Sequence, residues 1–273
     1  MVSRMNQQYD NSETPLWRSE TGDEPLVATA VHDGNGLRDE VRDLMKLSDD
    51  ERLREEDPHT GVWATVAETH IVATRSRFEC DLNRPRENAI YVEPEDAWGL
   101  DVWKERPDEE LIARSLEVYD AFYAELDGIY REKTERFGAF LVLDLHSYNH
   151  QRSGPGAEYD DPLGHPDINI GTGTMDKARW APIVDAFVDG LRSFDFGGGQ
   201  LDVRENIKFR GGNHPRWAHA NYPESACVIA VEFKKFFMDE WTGDLDNEQH
   251  DLATNALRSA IDADMPVVRA MGS

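Results

Sequence analysis

Strands that alternate with helices along the chain predict an α/β fold, a three-layer sandwich around a mixed, largely parallel central sheet. Two observations carry this. Short apolar runs such as "FLVLDL" and "CVIAVEF" recur between segments whose apolar residues lie three and four apart. The 273 residues, with seven tryptophans, suffice for one sizeable core, and neither an internal repeat nor a long linker divides them. Residues 1–24 are polar and read as an irregular tail, and 25–273 as a single α/β domain.

In order, "PLVATAVH" (25–32) reads as a strand and "LRDEVRDLMKL" (37–47) as a helix with Leu37, Val41, Leu44 and Met45 on one face. "THIVATRSRF" (69–78) is a second strand. Residues 108–138 form the clearest helix, with Leu111, Val118, Phe122, Leu126 and Ile129 as its stripe and Gly138 as its stop. "AFLVLDLH" (139–146) has the unbroken apolar character of a strand covered on both faces. A helix over 177–194, with Pro182 restricting its first turns, a strand over 227–233 and a helix over 244–262 complete the pattern. The connections 147–176 and 204–225 are long enough to suggest functional loops. In open α/β sheets ligands gather where strands end, so residues that follow the apolar runs are the ones to inspect.

The formal charge of −25 argues against nucleic acid and anionic membrane surfaces as partners. The acidic residues are spread along the chain and the basic ones are mostly arginine, which suits solubility in a high-salt cytoplasm. Arginines gathered inside so acidic a chain therefore need a specific reason. No apolar run approaches membrane-spanning length, and the N-terminal residues lack a basic start followed by an apolar stretch, so a cytoplasmic protein is expected. Cys80 and Cys227 both fall in strand-like sequence and are expected as buried, reduced thiols.

His32 and His146 each close an apolar run. One such histidine is commonly a structural hydrogen-bonder, but two at strand ends suit a zinc site that takes three protein ligands and leaves a position open. A third ligand could come from Glu55, Glu56, Asp57 and His59 in "REEDPHTG" or from Glu40, although that cluster also reads as a solvated acidic turn. "TRSRFECDLNRPR" gathers Arg75, Arg77, Asn83, Arg84 and Arg86, a set suited to bidentate carboxylate recognition or to pairing with neighbouring acids. "DVRENIKFRGG" adds Arg204, Asn206, Arg210 and a glycine pair that lets backbone approach a ligand. Glu232 interrupts an apolar strand, where an isolated charge is costly; it either pairs with Lys234 or acts as a general base. Tyr148 shares the parity of His146 and is a candidate substrate contact.

Taken together, "VHDG", "REEDPHTG", "SRFECDLNRPR", "DLHSYNHQR", "NIGTGTMD", "DVRENIKFRGG" and "VEFKKFFMDEWTG" resemble the N-formylglutamate amidohydrolase family, itself similar in layout to zinc carboxypeptidases. The resemblance spans about residues 30 to 243. It implies a zinc carboxypeptidase-like (phosphorylase/hydrolase-like) fold. It also implies His32 and His146 as ligands of Zn2+ or another divalent metal, Arg77, Asn83 and Arg84 as a carboxylate clamp, and Glu232 as the catalytic glutamate. Carboxypeptidases carry a glutamate three residues after the first histidine; here Asn35 stands there, so the third ligand comes from elsewhere. Glu56 is the expected third ligand, with Asp57 next.

The activity implied is hydrolysis of the N-acyl amide of a small acidic amino acid, with N-formyl-L-glutamate the leading candidate and histidine breakdown as the setting. Arg204 and Asn206 would reach a side-chain carboxylate, and Arg77 would also steady the oxyanion. The alternatives are a carboxypeptidase or deacylase for another N-acyl amino acid, and a non-catalytic protein that senses an amino-acid metabolite. Nothing in the sequence sets the oligomeric state.

Overall fold

The computed structural model describes residues 15–272. Its strands are β1 (Trp17–Glu20), β2 (Leu26–Ala30), β3 (Thr69–Ala73), β4 (Phe140–Tyr148), β5 (Ile168–Gly171), β6 (Val203–Glu205) and β7 (Ala226–Lys234). Its α-helices are α1 (Asp39–Leu44), α2 (Asp49–Glu55), α3 (Thr60–Ala64), α4 (Glu109–Phe137), α5 (Lys177–Ser193), α6 (Asn213–Asn221) and α7 (Asn247–Met271). The strands form one sheet in the order β1-β3-β2-β4-β7-β5-β6. Neighbours are parallel except for β1 against β3 and β5 against β7. The sheet is thus mixed and largely parallel, as expected.

Alternation along β4 produces the three layers. Leu141, Leu143 and Leu145 pack into one core with Ile183 and Phe187 of α5 and Leu257 of α7. Phe140 and Val142 point the other way, into a second core with Phe122 and Tyr130 of α4 and Ala218 of α6. All nine residues of β4 are buried, which explains its continuous apolar reading. The helix over α4 starts on Asp108, whose side chain caps the Leu111 N–H, and stops at Gly138 with φ of 72°.

The differences from expectation lie in short elements. Residues 17–20, inside the expected irregular tail, are a strand, because β1 completes an edge by pairing antiparallel with β3; residues 1–14 of that tail lie outside the described residues. The connection 147–176 contains β5, and 204–225 contains α6, which begins directly after the Gly211–Gly212 pair. Helices α2 and α3 are too short for helical periodicity to register. Ser48 and Glu51 form a capping box at the start of α2, a signal the sequence carries. Cys80 and Cys227 are both buried and free; Cys227 lies in β7, whereas Cys80 lies in the loop after β3. Among the described residues no helix is long and apolar enough to cross a membrane.

Candidate metal centre

Strands β2, β4 and β7 are adjacent and parallel, so their C-terminal ends meet at one edge of the sheet. His32 follows β2, His146 lies near the end of β4, and Glu232 stands opposite His146 on β7. His146, Tyr148 and Asp144 share the β4 face that carries Phe140 and Val142, because side chains alternate along a strand. This edge is where an open α/β sheet places a ligand.

His32, Asp57 and His146 converge there, each buried, with one potential ligand atom apiece within 4.8 Å of the others. His146 Nδ1 hydrogen-bonds Asp57 Oδ2 at 2.9 Å, and His32 Nδ1 lies 3.3 Å from the same oxygen. The far nitrogen of each ring meets another carboxylate. His32 Nε2 is 2.7 Å from Asp81 Oδ1, and His146 Nε2 is 3.1 Å from Asp144 Oδ2. Carboxylates behind both rings fix the ring orientation, the arrangement that metal-ligating histidines usually have.

The donor set fits a divalent ion on an observation independent of the family: His32 Nδ1 is buried and has no hydrogen-bond partner among the described residues. Such an orphan is costly unless something accepts its lone pair. Two imidazoles and one carboxylate with space in front are a catalytic zinc set. Burial alone would raise Asp57, but the hydrogen bond from His146 and the closeness of His32 hold its carboxyl below the usual range, so it is ionised. Burial opposes the charge on His146, yet the Asp144 charge outweighs it and raises that imidazole. A cation arriving at the centre must displace that proton.

Glu56, the expected third ligand, is not at the centre. Its Oε1 accepts from Arg52 Nη1 at 3.1 Å and from Ser76 Oγ at 2.5 Å. The backbone at Glu56 is extended, with φ of −76° and ψ of 168°, so Glu56 and Asp57 point in opposite directions and only one can face the histidines. The loop is locked in that sense. Lys235, fully buried, donates from Nζ to the carbonyls of Arg54 and Glu56 at 2.7 and 2.9 Å, and Asn149 Nδ2 donates to Arg54 O at 2.9 Å. The Asp57 N–H in turn donates to His32 O at 2.9 Å, tying the loop to the end of β2. Glu40, the remaining alternative, pairs with Arg114 and Arg38 on the surface.

A cleft of about 210 Å³ opens over the centre; His32, Asp57, Arg77, Asn83, His146, Tyr148, Arg210 and Glu232 are among its lining. Glu232 is not paired with Lys234, whose Nζ instead meets Asp167. Neither a hydrogen bond nor an ion pair engages the Glu232 carboxylate, and burial pushes its pKa up to about 7, against the pull of His146. Arg77 faces the cleft while donating to Asp81, the Glu55 carbonyl and the Tyr91 hydroxyl at 2.9, 3.0 and 3.2 Å. Asn83 is present with both ends engaged, Oδ1 accepting from the His214 N–H at 3.0 Å and Nδ2 lying 3.1 Å from His146 Nε2. A Cβ on Gly212 would sit 2.2 Å from Asn83 Oδ1, so the glycine pair serves this close approach.

Three expected substrate contacts are placed otherwise. Arg84 donates to the Asp96 carbonyl at 3.1 Å and does not line the cleft. Arg204 is spent on the carbonyls of Leu163 and Pro162 and on Asp202. Asn206 sits at φ of 56°, a conformation asparagine tolerates, and its amide closes the end of β5 through Thr172 at 3.0 and 2.8 Å. Tyr148 lines the cleft, but its hydroxyl donates to Pro166 O. Arg210, by contrast, lines the cleft with an exposed guanidinium that makes no hydrogen bond or ion pair. Sequence reasoning also passed over Asp81 and Asp144. Asp144 carried a signal, since residues two apart on a strand share a face and "DLH" puts a carboxylate beside His146.

No protein of curated function matches the chain. Among solved structures, an N-formylglutamate amidohydrolase from Ralstonia eutropha JMP134 is 20% identical with a TM-score of 0.67, over 90% of this chain and 97% of that one. A gene product of Agrobacterium tumefaciens is 18% identical with a TM-score of 0.64, over 93% and 98%. The likeness to a metallo-carboxypeptidase from Burkholderia cenocepacia is fainter, with 12% identity and a TM-score of 0.38 over 95% and 59%. These likenesses concern the fold. The sequence profile described as N-formylglutamate amidohydrolase matches residues 24–237, which include every residue of the centre and the cleft named above, and the chain belongs to that family.

Proposed function

We propose that the protein is a metal-dependent amidohydrolase that cleaves the N-acyl amide of a small acidic amino acid, with N-formyl-L-glutamate, giving formate and L-glutamate, as the leading substrate. The observation that supports this most is the pairing of an uncommitted buried carboxylate, Glu232, with the His32–Asp57–His146 cluster at one strand edge. His32, Asp57 and His146 would hold zinc or another divalent cation. Once bound, that ion supplies Lewis-acid polarisation of the acyl oxygen and a lowered pKa for water.

The chain's own groups account for the remaining steps. Glu232, as carboxylate, takes a proton from the attacking water as its oxygen bonds to the acyl carbon, and returns a proton to the amide nitrogen as the carbon–nitrogen bond breaks. Arg77, held in place by Asp81 and Tyr91, turns a positive charge toward the developing oxyanion. Arg210 is free to bind a substrate carboxylate, the role that Arg204 does not fill. Anionic substrate explains why guanidinium groups converge on a cleft in so acidic a chain.

The test is metal analysis of purified protein together with hydrolysis of a panel of N-acyl amino acids and dipeptides. Bound divalent metal and a preference for N-formyl over bulkier acyl groups are expected. Preference for larger acyl groups would replace the formyl reading by a deacylase, and hydrolysis unaffected by metal removal would sink the mechanism.

A further inference from the structure

His214, in the first turn of α6, is fully buried, and each polar atom through which it can bond is engaged on a different element. Its main-chain N–H donates to Asn83 Oδ1 at 3.0 Å, its Nδ1 lies 2.9 Å from Asp144 Oδ1, and its Nε2 lies 2.7 Å from the Tyr130 hydroxyl. Burial would raise Asp144, but the charges and hydrogen bonds of His146 and His214 hold it well below the usual range. An ionised carboxylate only accepts, so Nδ1 of His214 carries the proton and Nε2 accepts from Tyr130. Thr29 Oγ1 donates to the same Asp144 oxygen at 2.9 Å. The other oxygen of Asp144 faces His146 Nε2, which leaves His146 Nδ1 turned toward Asp57 and the centre. The bonds therefore run in one direction, from Tyr130 through His214 and Asp144 to His146, across three elements of the fold.

We propose that His214 is a positioning residue for the metal centre. By fixing Asp144 it sets which ring nitrogen of His146 faces the metal, and through its N–H it holds the Asn83 amide beside the same ring. The inference rests on the reading of His32, Asp57 and His146 as metal ligands. A buried histidine that merely filled the core would act through its volume, whereas a positioning residue acts through one donor. Two variants of similar size separate these roles. His214→Asn keeps a carboxamide N–H near the place of Nδ1, and His214→Gln carries it toward the place of Nε2.

Zinc affinity of the purified full chain is measured by competition with a chromophoric chelator, alongside thermal unfolding. His214→Gln is expected to lose about 10–100-fold in zinc affinity, as removal of an outer partner of a ligating histidine does, while His214→Asn stays close to the wild type. Asp144→Asn should show a similar loss, and the Asp144→Asn/His214→Gln double variant should bind no more weakly than Asp144→Asn alone, because His214 acts through that carboxylate. If both His214 variants bind alike, or if the losses in the double variant simply add, the proposal is overturned. If a His214 single variant does not fold, Tyr130→Phe replaces it: weaker zinc binding at unchanged folding supports the relay, and unchanged affinity overturns it. A wild type without zinc affinity overturns the metal reading and this inference with it; a zinc-binding wild type with indifferent variants overturns the inference alone.

Discussion

Glu232 and His146 are direct neighbours across the parallel pair of β4 and β7, so one ladder register sets the candidate base beside the candidate ligand. Strand geometry keeps opposed residues about 5 Å apart, which is the separation a base needs to reach a water on the same centre. Glu232→Gln keeps shape and removes the proton acceptor. It should lower kcat by about 10²–10⁴-fold while leaving zinc binding intact. Steady-state kinetics with metal analysis on the same sample checks this, and a variant that retains full kcat would remove Glu232 from the mechanism.

Asp57 and Glu56 are consecutive and have opposite tasks. Asp57→Asn should weaken zinc binding by more than the ~100-fold expected for loss of an outer partner. Glu56→Gln should leave zinc affinity near that of the wild type and cost about 1–3 kcal/mol of stability, because Arg52 loses its charged acceptor. Chelator competition and denaturant unfolding on both variants test the pair. The reverse pattern would return Glu56 to the centre.

Arg210→Ala should raise KM by about 10–100-fold, the equivalent of one charged hydrogen bond to substrate, with little change in kcat. Arg204→Ala removes contacts to the Leu163 and Pro162 carbonyls and should affect stability rather than KM. A panel of substrates with and without the side-chain carboxylate then shows whether the Arg210 effect depends on that group.

Asp264 is fully buried on α7, both its oxygens lack hydrogen-bond partners among the described residues, and burial pushes its pKa up to about 8. In the unfolded chain the same carboxyl ionises near its ordinary value of about 4. The folded state therefore binds this proton more tightly, and its contribution to stability is full below about pH 4 and is lost as pH rises through about 8. Asp264→Leu should raise Tm, by more at pH 8.5 than at pH 5. Equal shifts at both values would mean that the carboxyl is ionised, or solvated, in the folded protein.

The strand-end histidines and Glu232 were legible because the chain marks them strongly: polar residues that close or interrupt unbroken apolar runs stand out against a buried strand. The layered fold was legible for the same reason, since β4 and β7 are apolar throughout and α4 keeps its period and its caps. Arginine roles were not. Whether Arg77, Arg84, Arg204 or Arg210 faces a cleft depends on which carbonyls and carboxylates surround it after folding, and long side chains reach partners that spacing does not reveal.

What the sequence determined by itself was the order of strands and helices, the family, and the residue types available at the strand ends. Tertiary structure decided which of those residues act together. It chose Asp57 over Glu56 because an extended backbone turns neighbours to opposite sides and Lys235 clamps the loop in that sense. It also brought Asp81, Asp144 and His214 behind the two histidines from distant parts of the chain. Those contacts join residues dozens of positions apart, and only the register of parallel strands and the packing of α4 and α6 on the sheet bring them within hydrogen-bonding reach.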